Sequence, residues 1–468
     1  GIVINNSGIK GSSLICNDAG TLTIKGGTFT QNDFIAIKND EGGMLYVTGG
    51  TITSKQSAIQ NWYKADITGG EINGLLWTDA WTTDKSVGET KFGGDAKFTG
   101  EIMMDITGSS VAPKLAITGG NLNVTRWRIT SAAANVGAKP AVSGGTFTSA
   151  VPAEYCAEGF IPTANADGTF GVKAGSYVAE INGTKYESLQ AAINAANTND
   201  TVTLLADATE DVVINKNITL DLNGKTLTNT GAGKATISVT GGKVTVKGGS
   251  VMGGTSYYNI EVTKGSNANL TLMDVTATAG NNDSSMIDNW GTLTIESGTY
   301  EGGLNVVKSE EGSTLTINGG KFTLNYATNG YTAVILVYGD TTITGGEFIQ
   351  SLTTTGRWNH PQVVATGVEE GYTAITRVTG GHFVNKMSGE SIFRGIGKGT
   401  SDNFEVSGGT FNKSVPDSYF KTGYFAKKTA DGYTADGPYA VRLGTAAGYA
   451  TLEEAFAAAK SGDTITLL

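Results

Sequence analysis

Apolar and small polar residues alternate along most of this chain in short runs, and the runs are punctuated by glycine pairs. In TLTIKGGTFT, residues 21–30, Leu22 and Ile24 alternate with Thr21 and Thr23 before Gly26 and Gly27. Alternation at period two predicts a strand with its aliphatics on one face, and a glycine pair predicts a bend followed by a second strand. The unit recurs as LYVTGGTIT (45–53), ADITGGEIN (65–73), LAITGGNLN (115–123), AVSGGTFT (141–148), LTINGGKFT (315–323), TTITGGEFI (341–349) and EVSGGTFN (405–412). Gly26, Gly49 and Gly69 lie 23 and 20 residues apart, and Gly319, Gly345, Gly380 and Gly408 follow one another at 26, 35 and 28. A coil that climbs by one strand spacing per turn produces such a recurrence. The prediction is a parallel β-solenoid. Leu22, Ile24, Leu293, Ile295, Leu315 and Ile317 face inward, and Thr21, Thr23, Thr292, Thr294, Thr314 and Thr316 face out. The Phe residues that follow the glycine corners, Phe29, Phe147, Phe322, Phe348 and Phe411, belong to the core.

A longer period overlies the short one. YESLQAAINAANTNDTVTLL (186–205) matches YATLEEAFAAAKSGDTITLL (449–468) at an offset of 263, and SGGTFTSAVPAEYCAEGF (143–160) matches SGGTFNKSVPDSYFKTGY (407–424) at 264. This divides the chain into the end of one module (1–176), a complete second (177–437) and the opening of a third (438–468), within a longer parent chain of tandem modules. The segment opening each module carries a helical stripe at i, i+3, i+4, i+7: Leu189, Ala192, Ile193 and Ala196, then Leu452, Ala455, Phe456 and Ala459. Helices are predicted at 186–198 and 451–460, each a lid on an open end of the coil. Thr451 and Glu454 fit a capping box, whereas Ser188 has Ala191 where the acid would be. After the last glycine corner, Tyr155, Phe160, Tyr419 and Tyr424 predict an irregular closing hairpin packed over the final rung.

Composition narrows the function classes. Glycine accounts for 67 of 468 residues and proline for 7, which excludes collagen and a proline-rich linker. The net charge of −10, with no basic run, gives nucleic acid no electrostatic footing. No apolar stretch is long enough to span a membrane. Cys16 and Cys156 cannot form a disulfide framework, and Phe420 replaces Cys156 in the second copy, so Cys156 reads as a small apolar core residue.

The segment INGTKYESLQAAINAANTNDTVTLLADATEDVVINKNITLDLNGKTLT, the GGTF rungs and the VPxxY segment that follows them resemble tandem modules of Gram-positive bacterial cell-surface proteins. The resemblance implies the right-handed parallel β-helix of the pectin-lyase-like superfamily, modules in tandem each with an N-terminal capping helix, and an extracellular or cell-surface location. That fold serves lyases, hydrolases and adhesins alike.

The galacturonan hydrolases of that superfamily carry Asn-Thr-Asp, Asp-Asp, Gly-His-Gly and Arg-Ile-Lys on adjacent rungs, and none of the four occurs here in order. Arg128 and Ile129 precede Thr130, and His382 stands in GGHF. The chain has two histidines, His360 and His382, too few to make a zinc set with Cys16 and Cys156. No catalytic residue, metal site or cofactor is predicted. The tryptophans are the exception to the core pattern: Trp77 and Trp81 in LLWTDAWTTD, Trp127 between Arg126 and Arg128, and Trp358 with His360 in GRWNHP. Aromatics beside charged residues off the repeat suit contact with a sugar or a protein. The expected function is a non-enzymatic surface module, adhesin or stalk, that binds a glycan or a host surface protein through these seven residues. A carbohydrate-active enzyme of the same superfamily is the alternative.

Overall fold

The computed structural model describes residues 2–5, 11–82, 86–255, 257–326, 332–353, 361–368, 374–445 and 447–468, with side chains from residue 11 onward. The fold is an all-β parallel solenoid of about 15 turns. The chain divides into two compact units, Gly1–Ser176 and Tyr177–Leu468, and each is described by itself.

In the first unit most coils contribute a long strand bearing the glycine pair, the coil of Glu89–Phe92 being broken at its glycines, and the strands lie parallel and in register. Ile24 sits on Val47, Val47 on Ile67, Ile67 on Phe92, Phe92 on Ile117, and Ile117 on Val142. These aliphatics and Phe92 are almost wholly buried, while Thr21 and Thr23 are exposed. A second face is built from Ile15–Asn17, Ile35–Asn39, Ser57–Asn61, Leu76–Ala80 and Lys97–Ile106, again parallel. Its inner corner is sealed by amides: Asn17 Nδ2 donates to Asn39 Oδ1 and Asn39 Nδ2 to Asn61 Oδ1, both at 2.7 Å. Asn61 Nδ2 continues the chain to Thr90 Oγ1 at 3.0 Å. Asn39 and Asn61 are completely buried, so this ladder supplies the partners their amides would otherwise lack.

The second unit has a 20-stranded sheet carrying the glycine corners and an eight-stranded, all-parallel sheet from Val212–Ile214 to Phe393–Gly397. Leu293, Ile295, Leu315 and Ile317 are fully buried and stack in register. Tyr300, Phe322, Phe348 and Phe383 form a column with ring centroids 4.9, 5.0 and 4.8 Å apart. That spacing equals the distance between hydrogen-bonded strands, so the stack follows directly from the register. Each unit ends its GG-bearing sheet in an antiparallel hairpin, Phe160–Ala164 with Phe170–Ala174 and Phe425–Thr429 with Gly432–Asp436. Cys156 and Phe420 bridge Val142 and Val406 at equivalent places, each nearly buried.

Three short α-helices occur among the described residues: α1 (Ser131–Asn135), α2 (Leu189–Ala195) and α3 (Leu452–Ala458). The sequence pattern does not predict α1, which is too short to display a stripe; Thr130 caps it by accepting from the Ala133 amide. In α2 the stripe Leu189, Ala192 and Ile193 is buried in the core of the second unit. Its missing capping acid is supplied from 20 residues away, because Glu210 accepts from the Leu189 and Gln190 amides at 2.7 and 3.1 Å. In α3 Thr451 and Glu454 form the reciprocal box. Its stripe is only partly covered: Ala455 is buried, but Leu452 is exposed and Phe456 is 63% exposed where the equivalent Ile193 is 1% exposed.

The glycine pairs have two separate causes. A Cβ on Gly49 would lie 2.5 Å from the Lys25 carbonyl oxygen of the preceding rung, and Gly50 has φ +94°. The first position is closed by the neighbouring backbone and the second by its own left-handed conformation. Gly241, whose Cβ would come no nearer than 3.5 Å to the preceding rung and which has no positive φ, is the internal control. Gly49→Ala should therefore cost about 1–3 kcal/mol in urea unfolding, while Gly241→Ala should stay within about 0.5 kcal/mol of the parent. Equal effects would contradict this account of the corners.

Candidate functional site

The outward positions of the second face in the first unit form one column. Register pairs Cys16 with Lys38, Lys38 with Gln60, Gln60 with Trp77, Trp77 with Met103 and Met103 with Arg128. This column floors an open groove of about 910 Å³, whose walls include Phe34, Ile35, Trp62, Leu75, Asp105 and Thr130. Five rungs from Lys38 to Arg128 give the floor a length of about 19 Å at the strand spacing.

Most polar groups along the groove are held. Lys38 Nζ lies 2.6 Å from Asp40 Oδ2 and 4.3 Å above the Trp62 ring. The Trp62 indole donates to Asp79 Oδ2 at 3.0 Å, and Thr107 donates to the same oxygen at 3.1 Å. Asp79 is fully buried, and burial raises its carboxyl above the usual range against the pull of those two hydrogen bonds. Arg128 Nε lies 2.6 Å from Glu101 Oε1, a Coulombic contact without the alignment of a hydrogen bond. Asp105 Oδ1 accepts from Thr130 Oγ1 at 2.7 Å and from the Ile106 amide. Trp77 is half-buried, and its indole Nε1 is buried without a hydrogen-bond partner.

The residues singled out in the sequence separate on this geometry. Trp77 and Arg128 come together in the groove. Trp81, 39% exposed, packs edge-on against Trp62 with centroids 4.5 Å apart. Trp127 is turned toward the core, 5.2 Å from the Tyr155 ring and 6.4 Å from Phe147. Arg126 is exposed. Trp358 and His360 lie outside the described residues. Sequence reasoning passes over Lys38, Gln60 and Met103, which reach the groove by register with Trp77; only their common outward parity on successive rungs could have found them.

A second cluster, unread in the sequence, lies on the eight-stranded sheet of the other unit. Glu261, Asp288 and Lys308 are register partners on three consecutive strands. Asp288 is 1% exposed; its Oδ2 accepts from the Trp290 indole at 2.9 Å and its Oδ1 has no partner. Glu310, also buried, is ion-paired with Lys308. Lys264 lies 4.1 Å above the Trp290 ring, so the Lys–Trp–Asp arrangement of Lys38, Trp62 and Asp79 recurs here. Burial, and then the Glu310 charge, push Asp288 up to about 7 against the pull of Lys308 and the Trp290 bond, with Glu261 adding a smaller upward push. Burial raises the neighbouring Tyr258 to about 12.

Among the described residues no group of three or more His, Cys, Asp and Glu side chains gathers as a metal site, and no helix is long and apolar enough to cross a membrane. In comparisons with known proteins, no family model, no curated sequence and no solved structure matches this chain.

The raised carboxyl of Asp288 makes a thermodynamic prediction. Its folded value of about 7 exceeds the ordinary 3.8, so the folded state binds this proton more tightly than the unfolded chain. The stabilisation is complete below the unfolded value and is lost as pH rises through about 7. The urea midpoint of the second unit should fall as pH is raised between these values, and Asp288→Asn, which keeps an acceptor for Trp290, should flatten that slope. An unchanged slope in the variant would contradict the assignment.

Proposed function

We propose that this chain is a non-enzymatic binding module of an extracellular bacterial surface protein, adhesin-like, in which the stacked coils present a ligand groove. The observation that carries the reading is the groove on the first unit, where one rung after another contributes an outward side chain and the half-buried Trp77 offers apolar surface between polar groups. Sites for small and extended ligands combine concavity, aromatic surface and a few fixed polar groups in this way. Among the described residues Asp105 is the only carboxylate lining the groove, and one of its oxygens is already held by Thr130. Hydrolysis of a glycosidic bond by the usual route calls for two carboxylates flanking the bond. The reading takes the coil as right-handed, the hand that parallel crossovers favour, and takes α2 as the lid on the first coil of its unit, since its stripe lies in that core. Tandem modules of this kind also space a binding surface from the cell.

A second reading, a carbohydrate-active enzyme, is favoured by one observation: Asp288 and Glu310 are two neighbouring buried carboxylates beside Trp290 and Tyr258. A carboxyl raised by burial beside a second carboxyl is how acid and base roles are divided in glycosidases.

An array of glycans and host surface proteins probed with the full chain separates the readings. Binding should occur without release of reducing ends or unsaturated products, and Trp77→Ala should weaken it about tenfold or more while circular dichroism and the urea midpoint stay those of the parent. Product release that Asp288→Asn or Glu310→Gln abolishes would establish the enzyme reading instead.

A further inference from the structure

The charges around the groove select among ligands. Among the described residues two cations line it, and each faces an acid from its own or an adjoining rung: Lys38 with Asp40 and Arg128 with Glu101, both at 2.6 Å. Lys38 is engaged a second time by the Trp62 ring. The remaining charged side chain of the lining is Asp105. The groove with its paired partners thus carries two cations against three acids, in a chain whose net charge is −10. Among the described residues that line the groove, a polyanion would meet no unpaired cation and one uncompensated carboxylate, and so finds little electrostatic reason there to settle.

What the groove does offer is the half-buried Trp77 ring at the centre of the column, backed by the almost wholly buried Met103 and bordered by groups that exchange hydrogen bonds with hydroxyls. Gln60 lies one rung before Trp77, and the hydroxyl of Thr130 and the carboxylate of Asp105 lie at the far end. A ligand with flat apolar faces and a periphery of hydroxyls matches that distribution. The groove runs across rungs, parallel to the direction in which the coils stack, so its ligand is extended. One pyranose unit along a stretched chain is close in length to one rung spacing.

From this charge balance and the groove's course across the rungs past Trp77, we infer that the groove of the first unit binds a neutral, linear polysaccharide chain, with a sugar face on Trp77 and hydroxyls on Gln60 and Asp105. The inference rests on the binding-module reading above and adds the ligand class to it.

The test is isothermal titration calorimetry of the full chain with cellohexaose, xylohexaose and mannohexaose as neutral probes and hexagalacturonate as the anionic one. At least one neutral hexasaccharide should bind, with an affinity that changes less than about twofold between low and high salt. Trp77→Ala should lower that affinity about tenfold or more, and Trp77→Phe, which keeps an aromatic face, should retain most of it. If Trp77→Ala alters the urea midpoint, the comparison of Trp77→Phe with Gln60→Ala decides the location of the site. Preference for hexagalacturonate, lost at high salt, overturns the inference and leaves a binding module. Binding of none of the four, together with a protein ligand on the array, overturns the saccharide inference alone. No ligand in either experiment overturns both readings.

Discussion

Everything in this protein depends on the distance between hydrogen-bonded parallel strands. Once consecutive coils are held about 4.8 Å apart by their backbone ladders, every side chain acquires a fixed neighbour on the coil before and the coil after. At the corners this leaves no room for a Cβ: at Gly408 it would come 1.9 Å from the Thr379 carbonyl oxygen. Inside, it stacks ring on ring from Tyr300 to Phe383. On the outside it aligns Lys38, Gln60, Trp77, Met103 and Arg128 into one column. The corners, the core and the groove are three expressions of one spacing.

The fold was largely legible because its cause is local. Thr292, Thr294, Leu293 and Ile295 alternate within four residues, and Gly319 and Gly320 follow within the next rung, so a reader of the sequence sees both the strand and the bend without knowing what stacks on what. The stripe of α2 was legible for the same reason, but its cap was not. Ser188 lacks the acid three residues on, and Glu210, in the link between Ala208–Thr209 and Val212–Ile214 that only the fold brings near, accepts from the first two amides of the helix instead.

The groove was legible in part. Trp77 and Trp127 both stand off the glycine motif beside charged residues, yet register sends Trp77 to the groove and places Trp127 against Tyr155 and Phe147. The separations between column members explain why the rest stayed hidden: Gln60 and Trp77 are 17 residues apart, Trp77 and Met103 are 26 apart. Coils of unequal length erase any constant period for the outward column, whereas the glycine corners mark themselves. The acid pair on the second unit was hidden differently. Asp288 and Glu310 belong to unrelated words, IDNWG and KSEEG, and what joins them is burial beside Lys308 and Trp290.

The register of the outward column is therefore the claim on which the functional reading stands. It is tested most directly by pulsed electron resonance between a nitroxide on Cys16 and one on Met103→Cys, in a chain where Cys156→Ser removes the other thiol. Cys16 and Met103 are separated by four register steps, so the two backbone sites should lie about 19 Å apart, with a single narrow distance distribution once the label arms are allowed for. A separation beyond about 30 Å, or a broad distribution in a chain that still unfolds cooperatively, would mean that these residues do not share a column and that the groove they form does not exist.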